Sequence, residues 1–422
     1  MKHKKKVLKN GLKVVTVPMK DNQTATVLVL VEAGSKYEDK KNNGISHFLE
    51  HMNFKGTENR PDVSDISLEL DSLGSQSNAF TSHEFTGYWA KSNAKNVKKV
   101  IDIISDMYLN PLLDENEIKK EKGVILEEFN MYQDLPMRSV NDLFMNLLYE
   151  DQPTGMKILG EKENINNFKR DDFIEYRKKH YVADATTVIV AGNINEREVI
   201  KEIENKFKNI STAKKHKKIK VKDTQKENAI ALEYKKTDQT HFILGTRAFD
   251  QFHKDSIVAS MIAGVLSGGM SGRLFRKLRD EMGVCYYVRA TNEAFTDHGS
   301  FEIASGVDNK RVKEVVSVLL SEMKKLKEKK VSDKELKKVK DYIIGNIILG
   351  LEASDSWAEY YGIQDVLGRE IESPKEKIKK IKEVTAEDIQ RVAKKIFKDG
   401  NLNLALIGPF KDQKEFKNLL KI

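Results

Sequence analysis

Residues 78–104 read NAFTSHEFTGYWAKSNAKNVKKVIDII, and residues 292–320 read NEAFTDHGSFEIASGVDNKRVKEVVSVLL. Each opens on Ala-Phe-Thr (79–81 and 294–296), continues in alternating strand-like residues and turns into an amphipathic helix pattern at Val97 or Val312. Both anchors lie 215 positions apart. The kinship continues downstream. Asp172–Tyr181 followed by Thr187-Val-Ile-Val-Ala-Gly192 matches Asp388–Phe397 followed by Leu402-Asn-Leu-Ala-Leu-Ile-Gly408, at an offset of 216 between the two Asp-initiated segments and between the closing glycines. A repeat of this length is too long for a solenoid unit and matches a duplicated domain of ordinary size.

The chain has 422 residues, so a duplication near 215 divides it into two halves and leaves no room for a third large domain. We expect an N-terminal domain over 1–212, a basic linker over 213–227 and a C-terminal domain over 228–422. Lys208–Lys222 is Lys-rich with little helical periodicity, which reads as a solvated tether. Within each half, period-2 segments (Ala25–Val31, Ala229–Tyr234, Phe242–Gly245) alternate with helical ones (Glu117–Tyr132, Asp333–Leu351). Asn10-Gly11 marks a hairpin. The expected class is α+β: two similar domains, each a mixed or antiparallel sheet backed by helices on one face.

Composition excludes several functions. The sequence holds 73 basic against 64 acidic residues, a formal charge of +9, and the Lys-rich tract has no aromatic interleaving, so no nucleic-acid partner is expected. The single cysteine rules out an internal disulfide. No apolar run has the length of a membrane span, and none at the start has that of a signal peptide, from which a cytoplasmic setting is expected.

The sharpest local motif is Gly44-Ile-Ser-His-Phe-Leu-Glu-His-Met-Asn-Phe-Lys-Gly56, which contains His47-x-x-Glu50-His51. On a helix, His47 and His51 stand one turn apart on one face and can share a metal ion, while Glu50 projects from an adjoining angle to reach a water. Ile45, Phe48, Leu49 and Met52 supply an apolar face for packing. A third ligand from another helix is expected within Glu121-Lys-Gly-Val-Ile-Leu-Glu-Glu-Phe129, where Glu121 and Glu128 stand two turns apart on one face and Glu127 about 100° away.

These residues resemble the pitrilysin, insulinase and mitochondrial processing peptidase family of zinc peptidases with an inverted HxxEH motif. The resemblance spans essentially the whole chain, duplication included. It implies one zinc ion per chain, with Glu128 as third ligand, Glu121 as its supporting acid, and Glu50 as the general base of an endopeptidase acting on peptides or short unfolded segments. The Gly268–Tyr286 stretch looks like the family's Gly-rich turn followed by an Arg and a Tyr seven residues on. It implies that Arg279 and Tyr286 help bind the substrate carbonyl. Ser77–Thr81 resembles the edge strand on which peptide substrates pair, lined by Asn78 and Ala79. Two chains facing each other as a clamshell homodimer are also implied, with a heterodimer containing a metal-free sister subunit, or a peptide-binding subunit without turnover, as the variants. Moving His47, Glu50 and His51 by 215 positions gives Ile262, Val265 and Leu266, and Glu128 moves into Ile343–Asn346. Only the first half is expected to hold metal.

Overall fold

A computed structural model describes residues 1–422. Its first hairpin turns at Asn10–Gly11, where Gly11 takes a left-handed φ of +92°, and joins β1 (Lys4–Val7) to β2 (Lys13–Pro18) in antiparallel register. β3 (Thr24–Val31), β4 (Gln76–Thr81), β5 (Thr86–Asn93) and β6 (Thr186–Gly192) complete a six-stranded sheet of order β1-β2-β6-β3-β5-β4. All neighbours are antiparallel except β2 and β6.

Both faces of β3 are covered, which is why its sequence is a nearly unbroken apolar run. Val27, Val29 and Val31 point into a core with helices Ile45–Met52, Val97–Leu109 and Arg170–His180. Leu28 and Leu30 point the other way, against Trp357, Ala358 and Tyr361 of helix Ser354–Val366. Thr26 and Ser354 hydroxyls meet at 2.8 Å beneath that helix.

The second sheet contains β7 (Ala229–Tyr234), β8 (Gln239–Ala248), β9 (Cys285–Ala294), β10 (Gly299–Asp308) and β11 (Leu402–Gly408) in the order β7-β11-β8-β10-β9. This repeats the order β2-β6-β3-β5-β4, including the one parallel pair. One face carries helices Ser256–Ser267, Val312–Glu328 and Ala386–Ile396. The other carries helix Pro136–Tyr149, whose Val140, Phe144 and Leu148 pack on Ile243, Ala405 and Ile407. Each sheet therefore has helices on both faces, where the sequence pattern suggested one.

The duplication is real, but the linear boundaries need correction. The first unit comprises Met1–Asn130, Met156–Ile219 and Gly350–Ser373; the second comprises Met131–Gly155, Lys220–Leu349 and Pro374–Ile422. Helices Pro136–Tyr149 and Ser354–Val366 occupy equivalent places in the repeat, and each covers the sheet built mainly from the other half of the sequence, so that it belongs to that sheet's unit. An apolar helix face reads the same in sequence whichever of two duplicate sheets it covers. The basic linker is also divided, at Ile219. It contains no helix or strand between 211 and 228. Its first part is no free tether, because Lys215 pairs with Glu32 at 2.6 Å and Lys218 with buried Glu84 at 2.6 Å. No helix is long and apolar enough to cross a membrane.

Candidate functional site

The HxxEH residues lie on an eight-residue helix, Ile45–Met52, whose Ile45, Phe48, Leu49 and Met52 are buried. A helix this short is marginal on its own and takes its order from packing and caps. Its N-cap, Gly44, has φ +100° and no side chain to cap the free amides. A Cβ there would come within 2.8 Å of Gly160 Cα. The cap comes from Glu38, whose carboxylate accepts from Gly44 N at 2.8 Å, Ser46 N at 2.8 Å and Asn43 Nδ2 at 3.0 Å. Burial pushes that carboxyl above its ordinary value despite these bonds.

The second helix, Glu115–Gln133, buries Ile118, Glu121, Ile125 and Phe129 along one stripe. It places Glu128 Oε2 at 3.6 Å from both His47 Nε2 and His51 Nε2. One ligand atom from each of these three residues lies within 4.8 Å of the others. Ligands at about 2.1 Å from a tetrahedral zinc stand roughly 3.4 Å apart, so the separation suits a shared ion, as does the set of two imidazoles and a carboxylate. Glu127, the sequence rival of Glu128, is exposed and outside the cluster.

Glu121 Oε1 lies 2.9 Å from His51 Nδ1, and Lys55 Nζ lies 2.7 Å from Glu121 Oε2. With Nδ1–H donated to Glu121, the His51 Nε2 lone pair is turned toward Glu128, an arrangement common behind metal-binding histidines. Burial opposes a charge on His51, but the Glu121 bond and the Glu50, Glu121 and Glu128 charges outweigh it and raise its pKa. His47 is pushed down to about 3 by burial and by His51. Its Nδ1 is buried without a hydrogen-bond partner.

Glu50 stands beside the three ligand atoms without joining them. Its Oε2 accepts from Thr81 Oγ1 at 2.5 Å, and burial raises its pKa although Thr81 and His51 pull it down. Asn78 and Ala79 lie on β4, the sheet edge, which pairs only with β5. Asn78 is exposed and Ala79 is buried among the core residues. Arg279 and Tyr286 belong to the second unit. There Arg279 Nη1 donates to the Tyr286 carbonyl at 3.1 Å and its guanidinium lies 5.0 Å from the ring centre of Tyr286, which is 77% exposed.

Two partners of these side chains, Lys55 beside Glu121 and Thr81 beside Glu50, escaped the sequence reading. Lys55 follows His51 by one helical turn, and Thr81 follows Ala79 by one strand period. Those spacings are the signals that could have found them.

Residues 13–162 match the family model described as insulinase (peptidase family M16), and residues 167–343 match that of the peptidase M16 inactive domain. An uncharacterized zinc protease of Rickettsia bellii is 33% identical over 403 residues, covering 95% of this chain and 96% of its own length. The chain belongs to peptidase family M16. A second M16 relative, the uncharacterized zinc protease YmxG of Bacillus subtilis, is 31% identical over 96% of this chain and 98% of its own. A protease from Helicobacter pylori has a crystal structure of the same fold, with a TM-score of 0.89, 25% identity and coverage of 97% of this chain and 99% of that one.

The two M16 matches agree with the distribution of polar residues. His47, Glu50, His51, Glu121 and Glu128 all fall in the first. Within the second, the counterparts Ile262, Val265 and Leu266 are fully buried core residues, and Gly264 packs on the side chains of Val339 and Ile343.

Proposed function

We propose that this M16 chain is a zinc-dependent endopeptidase that hydrolyses peptides or short unfolded segments. The observation that carries the reading is the placement of two imidazole Nε2 atoms, each 3.6 Å from one Glu128 oxygen, with Glu50 adjacent but outside the set. His47, His51 and Glu128 would hold one zinc per chain. Zinc so held supplies Lewis acidity, polarising a carbonyl and acidifying a water.

Glu50 takes the proton released as water adds to the scissile carbonyl and passes it to the departing amine nitrogen. Glu121 fixes the ring of His51, and Lys55 keeps Glu121 ionised: burial opposes that charge, but the bonds from His51 and Lys55 outweigh it and lower its pKa. Peptide pairs along the free edge of β4 by main-chain hydrogen bonds, near Asn78 and Ala79, so many sequences are accepted. Arg279 and Tyr286 serve the carbonyl oxygen as it gains charge.

Two chains assembled as a homodimer would supply both kinds of unit to each other. A cytoplasmic setting belongs to the same reading, since a chain whose only cysteine is the half-buried Cys285 needs no oxidising compartment.

The test is hydrolysis of a quenched fluorescent peptide mixture by the purified chain, before chelation, after chelation and after zinc is restored, with mass measured in solution. We expect cleavage that follows zinc, and twice the chain mass. Cleavage undiminished by full zinc removal contradicts the metal reading. A zinc-loaded chain that binds peptide but never cleaves it, even beside candidate sister subunits, supports a peptide-binding role instead.

A further inference from the structure

We infer that Thr81 is the positioning residue of the general base: its hydroxyl anchors Glu50 Oε2, leaving Oε1 to accept and return the proton. The inference rests on the reading of Glu50 as the base and extends it to a residue outside the metal set.

Thr81 is the last residue of β4, paired with Thr86 across the sheet. Strand alternation puts Ala79 and Thr81 on the same face, the face that packs against the helix Ile45–Met52. Its hydroxyl therefore stands over the base. The 2.5 Å bond to Oε2 is the one hydrogen bond that the Glu50 carboxylate makes. A glutamate has three rotatable side-chain bonds, and fixing one oxygen removes most of the orientations in which the other would miss a water.

A purely structural role for the hydroxyl would lie in the turn that follows. That turn is already closed by Ser82 N and Ser82 Oγ, both donating to Phe85 O at 2.9 Å. Thr81 has no part in it. In the reaction, a water O–H bond breaks, its proton goes to Oε1, and the oxygen adds to the carbonyl carbon. The same proton then moves to the amide nitrogen as the C–N bond breaks, so Glu50 ends as it began. Throughout, Thr81 keeps its own proton and its bond to Oε2. Because β4 is also the free sheet edge, the strand that would take up a peptide is the strand that holds the base.

The experiment compares Thr81→Val, which keeps the branched strand-forming shape, with Thr81→Ser, which keeps the donor. Zinc content, unfolding temperature, kcat and KM are measured on a fluorescent peptide. Removing a hydrogen bond to a charged group predicts kcat lower by about 10- to 100-fold in Thr81→Val. KM should stay within about twofold and zinc at one per chain, with Thr81→Ser within about threefold of wild type. In a Glu50→Gln background, adding Thr81→Val should leave peptide affinity unchanged, since the hydroxyl acts on the base and not on the edge strand. If Thr81→Val lowers the unfolding temperature, Thr81→Ala is read in its place. A zinc-loaded Thr81→Val with wild-type kcat, or a Thr81→Ser as slow as Thr81→Val, overturns the inference alone. A wild type that cleaves nothing overturns the peptidase reading and this inference with it.

Discussion

The two units share strand order, one parallel pair and equivalent helices, yet differ at four matched positions. Where the first has His47, Glu50, His51 and Glu128, the second has Ile262, Val265, Leu266 and Ile343, all but the last fully buried in the main core. The fold does not need the polar set. Apolar residues at these places join a continuous core, whereas the first unit buries imidazoles and carboxylates that must be satisfied by one another, by Thr81 and Lys55, or by a cation. The difference separates scaffold from chemistry.

The severest way to break the contrast is to erase it. Replacing His47, Glu50, His51 and Glu128 by Ile, Val, Leu and Ile should abolish zinc binding and hydrolysis altogether. It should also leave the metal-free chain as stable or more so, by about 1–4 kcal/mol, as when buried ionic groups elsewhere are replaced by apolar ones. Calorimetry in chelator checks this. A marked loss of stability would mean the polar set is needed for folding.

The converse change should hurt. Ile262→His puts an unpartnered imidazole into the core of the second unit, at a cost of about 2–4 kcal/mol with zinc content unchanged. Denaturant titration reads the loss directly.

A finer probe is the support behind the ligands. Glu121→Gln should weaken zinc binding about 10- to 100-fold, measured by competition with a chromogenic chelator, because the His51 ring loses its charged partner. Lys55→Met, one contact further out, should weaken it by less. Equal effects would deny the order His51, Glu121, Lys55.

Acidity should divide the units most gently. In the first, His47 and His180 are each pushed down to about 3, by burial first and then by neighbouring histidines, against an ordinary 6.5. At these two groups the unfolded chain then binds more protons, so their contribution to metal-free stability falls as pH drops from 6.5 toward 3. In the second, burial and then Glu293 push Glu302 up to about 7 against the bond from Ser300, from an ordinary 4.5. Here the folded state binds the extra proton, so its contribution is complete below 4.5 and is lost as pH rises to 7. Amide exchange on the zinc-free chain, corrected for intrinsic rates, should show a smaller fall of first-sheet protection on acidification in His180→Asn than in wild type, and a smaller fall of second-sheet protection toward pH 7 in Glu302→Gln.

Much of this contrast was legible in the chain itself. The repeat offset located equivalent strands and helices because alternation and helical period survive divergence, and the HxxEH spacing marked out the two histidines that the fold groups with Glu128. Other features were not. The exchange of helices Pro136–Tyr149 and Ser354–Val366 is invisible to periodicity, since a stripe of apolar residues does not say which of two like sheets it will meet. The choice between Glu127 and Glu128 turned on helix phase, which Ile125 and Phe129 set by burying themselves. Thr81 and Lys55 were hidden because a hydroxyl and a cation beside a motif are commonplace until a bond to Glu50 or Glu121 gives them a role.

The central claim is that Glu50 performs the chemistry while three other residues hold the metal. Measuring zinc content and peptide hydrolysis together in Glu50→Gln tests it most directly. The expected result is one zinc per chain with kcat reduced by about a thousandfold or more. A Glu50→Gln chain that keeps its zinc and cleaves at the wild-type rate would contradict it.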